Sequence, residues 1–83
     1  MTWTLAWSAV AERDLLALPW RLAERVDAAV IAFADGRAGE GAVERMAAGD
    51  PYRLRLRLRG ASALLWIEPA ARVVHVARVL RNA

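Results

Sequence analysis

Hydrophobic and polar positions alternate most strictly between residues 52 and 59. This run holds an aromatic and aliphatic set and a basic set: Tyr52, Leu54, Leu56 and Leu58, and Arg53, Arg55, Arg57 and Arg59. Successive side chains of a β-strand point to opposite faces of the sheet, so the pattern predicts a strand with one apolar and one basic face. The guanidinium groups would stand about 7 Å apart in an unbroken row. Such a row favours an anionic partner over a face that only water covers.

The pattern of the N-terminal half predicts a strand followed by two helices. Aromatic and aliphatic residues alternate with small or polar ones over residues 3–7, which is typical of a short strand. Ser8 is well suited to cap a helix that ends near Leu18. Pro19 is tolerated in the first turn of a helix, so we expect a second helix to begin there and to end at Gly36.

The glycine-rich stretch 36–51 predicts a loop, with one helical turn at 43–47 at most. Residues 61–67 and 72–80 predict two further strands, both apolar on each face. The predicted order is β-α-α-β-β-β in a single domain over residues 1–83. This is an α+β fold in which a helical hairpin packs on a small, mostly antiparallel sheet. Because two helices cover only one face of a sheet, we expect apolar surface beside the arginines on the other face.

Charge is distributed unevenly along the 83 residues, although the net charge is only +3. Residues 1–50 carry five arginines against eight acidic residues, whereas residues 51–83 carry seven arginines against one acidic residue. The positive potential is therefore concentrated on one part of the molecule, which indicates a specific anionic partner. The apolar content of 58% predicts a globular chain rather than a disordered one.

Composition excludes several classes of site. The chain has no cysteine, so it has no disulfide, thiolate zinc site or cysteine nucleophile. His75 lies among valines and predicts a packed or half-exposed strand residue, and Ser8 and Ser62 do not support a catalytic triad. There is no phosphate-binding loop, no apolar run of about 18 residues and no signal peptide, so we expect no metal, cofactor or membrane partner. Phosphate binding by arginine remains, with Tyr52 and Trp66 as candidate stacking surfaces, although the pattern favours a core position for Trp66.

Arginine can also take part in catalysis, because it stabilises charge that develops on a phosphate in the transition state. It is a poor general base, since its pKa lies above about 12. An RNA-cleaving site here would require attack by the 2′-hydroxyl, with Arg53, Arg55 or Arg57 as electrostatic clamps. The sequence identifies no obvious proton acceptor for that attack.

Three segments carry a family resemblance in their order and spacing. Six residues match the pattern S-x-x-A-x-x-D-L-x-x-L-P, residues 52–55 match the pattern Y-[RK]-[LI]-[RK], and residues 73–80 are similar to a closing strand. The six are Ser8, Ala11, Asp14, Leu15, Leu18 and Pro19. Together these segments resemble the RelE/ParE superfamily of toxins from bacterial type II toxin–antitoxin modules, over nearly the whole chain.

The resemblance implies a compact α/β fold, growth inhibition, a cytoplasmic location and a cognate antitoxin as partner. RelE-type members cut mRNA in the ribosomal A site by 2′-hydroxyl attack, so we expect a ribosome-dependent mRNA endonuclease that inhibits translation. Its expected catalytic residues are Arg53, Arg55 and Arg81. Contacts to nucleic acid are expected from Arg53 and Arg55 and from four further residues: Arg57, Arg59, Arg78 and Tyr52.

The chain departs from the RelE pattern at two places. Ser62 or Ala63 stands where a further arginine follows the turn in the RelE pattern. Arg81 stands in for part of the closing basic cluster, and the tyrosine that follows this cluster in the pattern is absent. Two alternatives therefore stay open. One is a ParE-like inhibitor of DNA gyrase without nuclease activity, and the other is a degenerate toxin that only binds its antitoxin.

Overall fold

The computed structural model describes residues 3–82, which form two helices packed on one face of a five-stranded sheet. The elements in chain order are β1 (Thr4–Trp7), α1 (Ala9–Leu16), α2 (Trp20–Ala34), β2 (Ala42–Ala47), β3 (Asp50–Arg57), β4 (Ala61–Glu68) and β5 (Val73–Arg81). The strand order is β1-β5-β4-β3-β2, and every pair is antiparallel except β1 with β5. This confirms the predicted α+β class and the helical hairpin on a mostly antiparallel sheet.

Both helices begin where the sequence predicts, and α2 also ends there, whereas α1 ends at Leu16 rather than near Leu18. The Oγ of Ser8 accepts a hydrogen bond of 2.9 Å from the backbone N–H of Ala11 and so caps α1. Pro19 occupies the N-cap position of α2. Gly36 has a φ of +69°, which ends α2 in the left-handed conformation that glycine adopts without strain.

The core lies between α2 and the adjoining face of the sheet. From α2, Val26, Ala29 and Val30 are buried, and their spacing places them on one face of the helix. They meet buried residues of the three central strands, among them Leu56, Leu65 and Val76. The leucines of β3, which is called the arginine strand, therefore face the helices, and its arginines face away.

The prediction of a loop over residues 36–51 is wrong. Residues 42–47 form β2, and a two-residue turn at Ala48 and Gly49 connects it to β3. Gly49 has a φ of +83°, which suits this turn, and the pairing register shifts between Arg45 and Ala47. The segment is an edge strand with mostly exposed side chains, so its pairing with β3 rather than its own apolar pattern makes it a strand.

The arginine strand is also displaced from its predicted limits. It begins at Asp50 and ends at Arg57, so Leu58 and Arg59 belong to the turn that leads into β4. Gly60 has a φ of +99° in that turn. In the described part of the chain, neither helix is long and apolar enough to cross a membrane.

The face of the sheet opposite the helices is called the open face here. Pairing places Arg53 beside Trp66 and Trp66 beside His75, and it places Arg55 beside Leu64. Trp66 is therefore on the open face and is 43% exposed, so the prediction of a core position for it is wrong. Because β4 is apolar on both faces, its sequence does not show which face the helices cover. The expectation of apolar surface beside the arginines is confirmed at Trp66.

Candidate nucleic-acid interface

Four arginines converge on a cleft at one end of the sheet, where the β3–β4 turn meets the end of β5. The cleft has a volume of about 780 Å³, and its charged lining residues are Arg55, Arg57, Arg59 and Arg81. Leu58, Leu80 and Asn82 complete the wall together with small residues. None of the lining residues is acidic, so the cleft has a strongly positive potential and suits a phosphate or carboxylate.

The guanidinium groups of this cleft are poorly neutralised by the chain itself. Within residues 3–82, Arg59 and Arg81 make no ion pair and no side-chain hydrogen bond. The Nε of Arg55 is buried and has no hydrogen-bond partner there. Arg57 lies 3.7 Å from an oxygen of Glu44, in an exposed pair whose contribution to stability is small. The charge of the cleft is therefore available to a ligand.

A hydrogen bond from the helical layer fixes the turn that carries Arg59. Arg25 on α2 donates from Nη2 to the backbone carbonyl of Arg59 at 3.0 Å and also binds Glu40 in a two-pronged ion pair. That guanidinium holds the pKa of the Glu40 carboxyl below its usual value. Arg25 thus ties the turn to α2, and its own charge is neutralised by Glu40.

Asn82 ties the end of β5 to the same turn. Its Nδ2 donates to the carbonyl of Leu58 at 3.0 Å, its backbone N–H donates to Gly60, and its Oδ1 accepts from the buried hydroxyl of Ser62 at 2.9 Å. Arg81 immediately precedes it and is thereby held beside Arg59. The sequence contained no signal for this role of Asn82, because the three groups it joins meet only in the folded sheet.

Three of the predicted site residues lie outside this cleft. Arg53 is on the open face further along β3 and lies 3.4 Å from an oxygen of Asp50. Arg78 binds Asp14 on α1 through Nε and Nη2, at 2.8 and 3.3 Å. Tyr52 is 47% exposed, but strand alternation places it on the side of the sheet that carries Leu54, opposite the arginine row. Their predicted contacts with nucleic acid stay predictions, and Arg78 would first have to leave its carboxylate.

The contact between Asp14 and β5 has a structural explanation. β1 pairs only with the first part of β5, and α1 lies against the remainder. Asp14 Oδ2 accepts the backbone N–H of Val79 at 3.0 Å in addition to the guanidinium of Arg78. These two donors lower the pKa of Asp14, with the Arg78 hydrogen bond as the larger cause. Asp14 therefore satisfies an exposed sheet edge that would otherwise lack a partner.

Sequence reasoning missed Glu44, because residues 42–47 were predicted to be a loop. In β2, Glu44 is paired in register with Arg55 and therefore projects from the open face. Its carboxylate is the acidic group that meets the cleft, through its contact with Arg57. Once β2 is recognised as a strand, the register places a carboxylate beside Arg55 that the sequence alone did not indicate.

The comparisons with known proteins are consistent with this geometry. No protein-family model matches the chain, and no curated protein matches it in sequence. One chain of the RelBE2 toxin–antitoxin complex from Mycobacterium tuberculosis is 21% identical, with a TM-score of 0.71, and the match covers 99% of this chain and 100% of that one. The isolated RelE toxin of E. coli is 16% identical, with a TM-score of 0.76, over 99% of this chain and 86% of that one.

The chain has the RelE fold. Both matches cover 99% of the chain, so nearly all of the structure belongs to the shared architecture. The RelE-like sheet presents the arginine cleft at its end and leaves the open face free of helices. Identity at this level establishes the fold, and the function has to be argued from the cleft.

Proposed function

We propose that the chain is the toxin of a toxin–antitoxin module and that it inhibits translation by cutting mRNA on the ribosome. The observation that carries the proposal is the cleft of four arginines without an acidic lining residue, at the end of a RelE-like sheet. Such a cleft binds the phosphates of a single-stranded nucleic acid. The partner of this toxin would be a cognate antitoxin, because the similar RelBE2 chain comes from a toxin–antitoxin complex.

The chemistry that fits these residues is attack of a ribose 2′-hydroxyl on the adjacent phosphate, which forms a 2′,3′-cyclic phosphate, breaks the P–O5′ bond and releases a 5′-hydroxyl that takes its proton from water. Arg55 and Arg81 would hold the scissile phosphate and stabilise the charge that builds up on its oxygens. Arg53, on the same strand face, would hold a neighbouring phosphate. Arg59 and Arg57 supply further positive charge close to the position where the RelE pattern places an additional arginine.

Glu44 is the residue that we propose as the proton acceptor. It lies on the open face in register with Arg55 and contacts Arg57, so its carboxylate can reach a ligand bound at the mouth of the cleft. A carboxylate that takes the proton of the 2′-hydroxyl would accelerate the reaction by about 10²–10⁴-fold.

The test is cleavage of mRNA on programmed ribosomes by the purified chain. We expect codon-positioned cleavage by the wild type, loss of cleavage in the variant with Arg53→Ala and Arg55→Ala, and full activity in a control with Arg21→Ala and Arg45→Ala. The control removes the same charge from exposed positions away from the cleft.

Three results would contradict the proposal. If cleavage survives the loss of both strand arginines, the phosphate is held elsewhere. If the wild type leaves mRNA intact but produces gyrase-dependent breaks in DNA, the chain is a ParE-like gyrase inhibitor instead. Growth arrest without either activity would also exclude the nuclease assignment.

A further inference from the structure

Trp66 has an environment that the arginine cleft does not explain. Its indole is 43% exposed on the open face. One side of the ring stacks on the imidazole of His75, with centroids 4.6 Å apart and planes inclined by 24°. The Nε2 of His75 is in turn 2.8 Å from Oε1 of Glu68. The indole is therefore a large apolar surface that is held in place from one side and open to solvent.

The second side of the indole is available for stacking. In the part of the chain that the structure describes, no aromatic ring other than that of His75 stacks on Trp66, and no guanidinium lies over it. Because the Trp66 ring is already ordered by His75 and Glu68, a ligand that stacks on it would lose little further side-chain entropy. The site is thus prepared for a planar group.

The charges around Trp66 indicate what kind of planar group this is. Arg53 pairs with it in register on the adjacent strand, about 5 Å away across the sheet. The side chain of Arg53 is 66% exposed, and it begins the row that continues through Arg55 to the cleft. A stacking surface beside a track of guanidinium groups is the arrangement by which proteins bind single-stranded RNA, since bases stack and phosphates pair with arginine.

We propose that Trp66 is a base-stacking subsite, on which an unpaired base of a single-stranded RNA lies while Arg53 binds the phosphate next to it. His75 and Glu68 act as positioning residues that hold the indole. The inference rests on the proposed function, and it adds a base contact to a site otherwise built from phosphate contacts. It also defines the path of the RNA across the sheet, from Trp66 at one end of the arginine row to the cleft at the other.

The experiment measures binding of a fluorescently labelled single-stranded RNA to four proteins: the wild type, Trp66→Ala, Trp66→Phe and Trp20→Ala. Trp20 is the matched control, because it is also an exposed indole, at 64%, but lies at the start of α2. We expect Trp66→Ala to bind about 5- to 150-fold more weakly, which corresponds to the loss of one base stack. Trp66→Phe retains a ring and should recover most of the affinity, and Trp20→Ala should bind as the wild type does.

A second series replaces one nucleotide of the RNA at a time by an abasic residue. At one position the abasic RNA should bind the wild type as weakly as intact RNA binds Trp66→Ala, and the same abasic RNA should bind Trp66→Ala with no further loss. This coupling identifies stacking on Trp66 and excludes a general disturbance of the fold. Circular dichroism melting confirms that each variant is folded at the assay temperature.

The outcomes separate this inference from the proposed function. If Trp66→Ala binds RNA as the wild type does while Arg55→Ala loses binding, the stacking subsite is wrong and the arginine cleft stands. If Trp66→Ala instead loses binding to the antitoxin with its RNA affinity unchanged, the indole belongs to a protein interface and the inference is overturned. If the wild type binds no free RNA at all, the stacking subsite is overturned, whereas the proposed function is decided separately by cleavage on programmed ribosomes.

Discussion

Replacing Arg55 by methionine should separate what this arginine contributes to binding from what it costs in stability. Its Nε is buried without a hydrogen-bond partner in the described chain, and its neighbours along the strand face, Arg53 and Arg57, carry the same charge. A buried donor without an acceptor costs about 1–3 kcal/mol. Methionine keeps an unbranched apolar stem and removes both the donor and the charge, so we expect unfolding to require about 1 kcal/mol more. In a domain of this size that gain raises Tm by about 4–8 °C.

The same substitution should weaken RNA binding and reduce its dependence on salt. Each phosphate neutralised on a single strand contributes about −0.7 to the slope of log K against log salt concentration. Four cleft arginines give a slope of about −2.8, or about 50-fold weaker binding between about 50 and 200 mM salt. Three arginines give about −2.1, or about 18-fold. Arg55→Met should therefore bind more weakly at low salt, and its affinity should fall less steeply as salt is added.

The two effects are measured on one protein preparation, by thermal melting and by fluorescence anisotropy across a salt series. Arg45→Met is the control, because Arg45 is exposed on β2 and is paired with Leu54, on the side opposite the arginine row. It should leave the salt slope unchanged and shift stability by less than about 0.5 kcal/mol. A lower Tm for Arg55→Met would refute the account of its buried Nε. An unchanged slope would show that Arg55 does not contact a phosphate.

Three further predictions concern other parts of the structure. Glu44→Gln should lower the single-turnover cleavage rate by about 10²–10⁴-fold while RNA binding stays equal or tightens, and an unchanged rate would exclude Glu44 as the proton acceptor. Asn82→Ala removes the acceptor of the buried Ser62 hydroxyl and should destabilise the fold by about 1–3 kcal/mol in urea unfolding; a loss below that range would mean that the hydroxyl finds another partner. Asp14 has a lowered pKa, so its stabilising effect should be complete above the pKa of the unfolded chain and be lost as pH falls through the lower folded value, below about pH 4. The stability difference between wild type and Asp14→Asn should shrink over that acidic range, and a constant difference would show that the contact does not depend on the charge of Asp14.

The features that the sequence predicted correctly are those that a few adjacent residues determine. The period of two in the arginine run needs no partner strand to define its two faces. Ser8 caps α1 and Gly36 ends α2 through bonds or dihedral angles within one helical turn. Such features depend on local geometry, so a pattern in the sequence is enough to identify them.

The features that the sequence missed depend on pairing between distant segments. β2 has exposed side chains and flanking glycines, and it becomes a strand because β3 supplies its hydrogen-bond partners. Trp66 lies on a strand that is apolar on both faces, so only its register with Arg53 shows that it faces away from the helices. Neither relation can be obtained from the residues of one segment alone.

The candidate site was predictable in part for the same reason. The arginine row pointed to Arg55, Arg57 and Arg59 and the family resemblance to Arg81, and these four line the cleft, but no pattern showed that a turn and the end of β5 bring them together. Sequence reasoning placed Arg59 in the strand, whereas the turn at Gly60 brings it towards Arg81. Two hydrogen bonds from Asn82, which no pattern marks, hold these two segments together.

The unneutralised cleft links binding to stability in this small domain. Four arginines that repel one another, of which only Arg57 has a carboxylate partner within residues 3–82, reduce the stability of the free protein, and a domain of 83 residues has little stability to spare. Any ligand that supplies negative charge there stabilises the fold in proportion to RT ln(1 + [L]/Kd). An antitoxin with an acidic segment and an RNA would then draw on the same guanidinium groups, so each would displace the other. Under the proposed function, binding of an antitoxin at this cleft would therefore both block the RNA site and stabilise the fold.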